Sequence, residues 1–130
     1  MTVRERRPGS PRARAEAKQV AKALSWAERE IELTDEEVAG ALGGVSTRTV
    51  ARWREEAQRP QQSAVIAAET ILVLAKALSA VFGNDKDRMQ AWLHEPLDAF
   101  RARTPLRMIT QGDAAKVLTL LANIDAGVFD

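Results

Sequence analysis

Ser46, Thr47, Arg48, Thr49 and Arg52 are the residues whose types and spacing most clearly suit a chemical task. At the start of a helix, free backbone N–H groups and short hydroxyls can hold a phosphate, and arginines one turn apart can reach base edges in a DNA major groove. Val50 and Trp53 fall on the opposite side and would fix such a helix to the one before it. Glu55 and Glu56 follow and would repel phosphates, which confines the reading to the first half of the helix. A second cationic group, with Arg12 and Arg14 in it, lies near the N-terminus: residues 1–24 carry seven Lys or Arg against Glu5 and Glu16, a net +5, while the other 106 residues sum to −4. Such an arm suits nucleic-acid phosphates or an acidic partner, and equally a solvated tail.

Other chemistry is poorly supplied. There is no cysteine and one histidine, His94, so thiolate zinc sites, thiol nucleophiles and two-histidine metal motifs are excluded. Carboxylates are plentiful but fall in helix first turns and on charged faces, and Gly40, Gly43 and Gly44 follow no strand, so neither a catalytic acid pair nor a phosphate-binding glycine loop can be argued. The expectation is a protein without cofactor or metal, and not an enzyme. With 45% apolar and 28% charged residues in 130, the chain has the composition of one water-soluble domain. No apolar run approaches the ~18–20 residues of a bilayer span. The N-terminus lacks the apolar stretch of a secretory signal, and a cytoplasmic protein is expected.

The elements that must position these residues are helices, because apolar residues recur at three- and four-residue steps and nowhere alternate. From Ala13, the series Ala17, Val20, Ala21, Leu24, Ala27 and Ile31 predicts an amphipathic helix, after an arm ending near residue 14. Thr34 with Glu37 forms a capping box for a short helix that stops at Gly43-Gly44, and Ser46 caps a second helix from Thr47 to about Ala57. Together they have the outline of a helix-turn-helix, an outline shared by any plain helical hairpin. Ser63 to Phe82 is apolar around most of its circumference and reads as the central helix. A two-fold partner is the simplest cover for its stripe, so a homodimer with Ile71, Leu74 and Leu78 at the interface is expected. Asp85 caps the next helix, Leu97 to Arg103 reads as a short helix, Thr104-Pro105 starts another, and Gly112 or Asp113 opens a last one through Ala126. The fold class is all-α, with about seven helices. The three tryptophans, Trp26, Trp53 and Trp92, read as packing residues.

Two stretches together resemble the Xre/MbcA/ParS-type antitoxins that neutralise RES-domain toxins. One is Ser46-Thr47-Arg48-Thr49-Val50-Ala51-Arg52-Trp53. The other runs through Ala91-Trp92-Leu93 and Pro96, Pro105-Leu106, then Gly112, Val117, Leu118, Leu121, Ile124 and Gly127-Val128-Phe129, in the family's order and spacing. The resemblance covers roughly residues 30–130, leaves the basic arm over 1–14 outside, and implies a dimerising all-α protein; the expected division is that arm, a helix-turn-helix module over 15–60 that can bind operator DNA, and a helical domain over 61–130 that dimerises and binds the toxin. It also implies that Trp92, Pro105, Gly112, Val117, Leu121, Ile124, Gly127, Val128 and Phe129 serve the toxin-binding domain, with the C-terminal end over the active-site entrance of an NAD-consuming toxin. The residues themselves point the same way, because the last helix and tail hold more apolar groups than one stripe can bury, unless Phe129 folds back on the core. The alternative is a stand-alone helix-turn-helix regulator whose C-terminal helices only dimerise.

Overall fold

Ser10 has its side chain free to cap and Pro11 has its φ preset, and the two start the first helix of the computed structural model, which describes residues 9–125. Helix α1 spans Pro11–Glu30, with the Ser10 hydroxyl accepting from the Ala13 N–H at 3.0 Å. Arg12 and Arg14 therefore belong to the first turn of a helix. The boundary drawn at residue 14 moves back accordingly, because a good cap outweighs polar composition.

Helices α2 (Asp35–Ala41) and α3 (Thr47–Arg54) follow as a hairpin. The capping box at α2 is formed in full: Glu37 N–H donates to Thr34 Oγ1 at 3.2 Å and Thr34 N–H to Glu37 Oε1 at 2.9 Å. Gly43 and Gly44, at φ +108° and +79°, make the corner that a side chain would strain. Helix α3 ends at Arg54, short of the expected Ala57, where Glu56 turns to φ +56°.

Helix α4 (Gln62–Phe82) is the centre of the fold. It is in fact long and apolar enough to span a bilayer, contrary to the expectation from run length. Its composition answers to burial on two sides, against α1 and against α7 (Ala114–Asp125). Ile71, Leu74 and Leu78 are almost wholly buried within the one chain, which corrects their placement at a dimer interface. The large apolar side chains left exposed among the described residues are Ile66 and Val73, one heptad apart on the outer face of α4.

Helices α5 (Lys86–Leu93) and α6 (Pro105–Thr110) complete the second half, each started by the expected cap, Asp85 and Thr104. Between them, the expected helix over 97–103 is replaced by a single 3-10 turn, Asp98–Phe100, and a loop closed by a bridge between Leu97 and Arg103. Arg101 and Ala102 take positive φ there, which no α-helix allows. The described residues thus form an all-α fold around one core that runs from Val20 of α1 to Leu121 of α7.

Candidate functional site

Two surfaces carry the residues singled out from the sequence. The first is the start of α3. Val50 and Trp53 are buried as expected and hold the helix against its neighbours, leaving Ser46, Thr47 and Arg48 exposed and Thr49 half-buried. The Ser46 hydroxyl is already engaged: it accepts from the Thr49 N–H at 3.1 Å and lies 3.0 Å from Thr49 Oγ1. What remains for an anion at this end is Arg48, the Thr47 hydroxyl and the free first-turn N–H groups. Arg52 is half-buried and interacts within the chain. Arg12 and Arg14 are exposed at the start of α1, where Arg12 lies 3.9 Å from Glu16 and Arg14 donates to the Gly9 carbonyl at 2.7 Å.

The α3 helix is fixed at its far end by Arg54. Its guanidinium donates to Glu28 Oε1 of α1 at 2.7 and 3.2 Å and to Asp35 Oδ1 of α2 at 2.8 Å, so one side chain joins three helices. The hydrogen bond to Glu28, above all, with Asp35 adding to it, holds Arg54 above its ordinary pKa and always charged.

The second surface is the C-terminal half, and here three of the six described residues named from the pattern lie inside. Val117 and Leu121 are fully buried, Pro105 is buried as the first residue of α6, and Gly112 ends α6 at φ +88°. Trp92 is half-buried with its ring 5.9 Å from that of Phe82, and Ile124 is half-buried. Gly127, Val128 and Phe129 lie outside the described residues. The expected open apolar stripe on the last helix is therefore taken up by α4 and α6 over Val117 and Leu121. Val117, Leu121 and Pro105 thus shape the domain, while Trp92, Gly112 and Ile124 stay partly or fully open at its surface beside further side chains not named from the pattern.

Those other side chains include a group of cations. Arg101 and Lys116 are exposed, and together with the half-buried Arg103 they line one recess beside α6 and α7. Sequence periodicity misses them, because a helix over 97–103 would spread Arg101 and Arg103 around its circumference. The usable signal is an Arg-Ala-Arg step bracketed by Pro96 and Pro105. No group of three or more His, Cys, Asp or Glu suited to a metal ion occurs among the described residues.

The two halves meet at a close backbone approach. A Cβ at Gly40 of α2 would overlap the carbonyl oxygen of Thr110 in α6, and one at Gly112 would lie 3.9 Å from the Gly40 carbonyl oxygen. Glycine at position 40 is what lets α2 rest directly on the end of α6.

Residues 77–127 match the family described as the antitoxin Xre/MbcA/ParS C-terminal toxin-binding domain. The chain is 30% identical over 110 residues to the mycobacterial cidal antitoxin MbcA of Mycobacterium tuberculosis (strain H37Rv) and to that of Mycobacterium bovis, covering 85% of this chain and 95% of theirs. In the crystal structure of the M. tuberculosis MbcT-MbcA toxin-antitoxin complex, one chain matches with a TM-score of 0.61 and 29% identity, over 85% of this chain and 97% of that one.

Proposed function

This chain belongs to the Xre/MbcA/ParS antitoxin family, and from that premise we propose that it binds and neutralises a RES-domain, NAD-consuming toxin by covering the entrance to its active site, and that it also binds operator DNA. The observation that carries the reading is the agreement of sequence and fold over nearly the full length of a relative whose structure is a toxin-antitoxin complex. In this reading the protein is a non-enzymatic regulator. Its helices α5 to α7 form the base, and the tail Val128-Phe129-Asp130 is the part proposed to reach the toxin. Deleting residues 127–130 should leave a folded chain that no longer protects cells expressing the toxin. Protection equal to that of the full chain would overturn occlusion by the tail.

For operator binding, we read Arg48, exposed at the start of α3, as the main reader, and Arg12 and Arg14, exposed at the start of α1, as phosphate partners. Arg48→Ala should weaken operator binding by about 1–3 kcal/mol if the side chain reads a base edge. Replacing Arg12 and Arg14 by alanine should instead lower the salt slope, by about 0.9 for each phosphate that is no longer neutralised. If neither variant changes affinity in a salt titration, α3 serves packing alone. We place the homodimer contact on the outer face of α4, around Ile66 and Val73, and light scattering of the toxin-free protein tests it: Ile66→Lys should shift a dimer mass to a monomer mass.

A further inference from the structure

The loop between α5 and α6 holds a backbone conformation that side chains disfavour. Arg101 and Ala102 sit in succession at φ +55° and +67°, although neither is glycine. The loop is tied so that it cannot relax: the Ala102 N–H donates to the Leu97 carbonyl at 2.9 Å, and the Leu97 N–H to the Arg103 carbonyl at 3.2 Å. The result is that Arg101 and Arg103 border one recess of about 380 Å³, with Lys116 on its α7 side, the exposed Ala99 and the edge of Phe100 as its apolar lining, and the fully buried Met108 beneath.

The electrostatics of this recess are one-sided. Arg103 is anchored, with Nη1 donating to Gln111 Oε1 at 2.9 Å and lying 3.6 Å from Asp113, and Nε donating to the Phe100 carbonyl at 3.3 Å. Arg101 and Lys116 are exposed. Lys116 stands in the first turn of α7, the end at which the helix dipole disfavours a cation. Three cations thus border a space whose nearest paired carboxylate is Asp113. A strained arginine, an anchored arginine and a lysine at the wrong end of a helix all become favourable once an anion is present.

We propose that this recess is a docking site for an acidic segment of a protein partner, with an Asp or Glu carboxylate held by Arg101, Arg103 and Lys116 and a neighbouring apolar side chain against Ala99 and the edge of Phe100. A side chain fits a concave, half-apolar recess, whereas a duplex phosphate presents no apolar group to such a lining. All the lining residues fall within 77–127, the part matched as toxin-binding, so the inference rests on the reading of this chain as an antitoxin and adds the chemistry of the partner's face.

The test uses the full chain and the double variant R101E/K116E. Both positions are exposed, and an acid in the first turn of α7 favours the helix, so the variant keeps its fold, as a thermal melt will verify. Association with a RES-domain toxin encoded alongside this chain is followed between about 50 and 300 mM NaCl, a range over which screening becomes strong. The wild-type rate should fall with salt. The variant should associate roughly tenfold more slowly at the low end and lose most of that salt dependence. Rates within about twofold of each other at low salt would overturn the proposal, because charge reversal of a steering site moves the on-rate first. A second arm does not need the toxin. In NMR titrations, the peptide acetyl-Glu-Phe-Glu-amide should shift resonances of residues 97–103 and 113–117 in the wild type and not in the variant. An equal response to inorganic phosphate, or a response to duplex DNA in place of the peptide, overturns the assignment to an acidic protein segment. If no toxin binds the wild type, the antitoxin reading fails, and the peptide arm still decides the recess.

Discussion

Around α2 and α3 the buried Val38, Leu42, Val50 and Trp53 are supplemented by polar side chains at the surface: the Thr34–Glu37 box, the Ser46 cap, and Arg54 shared between Glu28 and Asp35. Around α6 and α7 the fixing contacts are made by apolar groups with no exposure, Met108, Val117 and Leu121, and by backbone laid against backbone at Gly40 and Thr110. The first arrangement leaves backbone N–H groups and cations pointing outward at the start of α3. The second spends several of its recognisable residues, Pro105, Val117 and Leu121, on a firm support. The short helix is held by its ends as well as by its buried face, and the platform by its middle.

The largest expected effect that tests this contrast is at the platform. Leu121→Ala removes a fully buried side chain and should cost about 2–5 kcal/mol, read as a fall in the chemical-denaturation midpoint. A cost below about 1 kcal/mol would mean that α7 is not firmly seated. Next is Gly40→Ala, which improves intrinsic helix propensity by about 1 kcal/mol yet forces a Cβ into the Thr110 carbonyl, so a net loss of about 1–3 kcal/mol is expected. A neutral or stabilising result would show that α2 and α6 can part.

Smaller effects belong to the hairpin. Arg54→Met should cost on the order of 1 kcal/mol, because its ion pairs are partly exposed and screened, and about 0.5 M NaCl should shrink the difference while leaving that of Leu121→Ala in place. Salt is the right lever because the pKa of Arg54 is raised: a cation whose folded pKa lies above its unfolded one, beside ionised carboxylates, gives its full stabilisation only below the unfolded value and loses it as pH rises from there through the folded value, far into the alkaline range. Smallest of all, Arg48→Ala should change stability by less than about 0.5 kcal/mol, which separates its proposed role at DNA from any role in folding.

Much of this arrangement is legible in the sequence. Thr34 with Glu37, Ser46, Asp85 and Thr104-Pro105 mark helix starts by local chemistry, and all four hold in three dimensions. Ser10-Pro11 carries the same signal, masked by the polar residues around it. The left-handed pair Arg101-Ala102 cannot be read, because tertiary contacts impose a conformation that neither residue prefers. The roles of Val117 and Leu121 are hidden for a different reason: a three- and four-residue spacing marks one face of a helix, and the same spacing serves a core and an interface equally. The apolar excess on α4 likewise shows burial on two sides without saying that both covers, α1 and α7, come from the same chain.

The contact between Gly40 and Thr110 joins points separated by more than half of the chain. As the polypeptide leaves the ribosome, α2 emerges long before its seat on α6 has been made, so the hairpin has α1 alone to rest on until the C-terminal half arrives. The consequence is one of inheritance. A lineage that exchanged residues 15–60 for those of a cousin would have to keep glycine at position 40 or move Thr110 as well, because a methyl group at that one point overlaps the Thr110 carbonyl. What is passed on together here is the joint, and each hairpin can diversify only on the side that faces away from it.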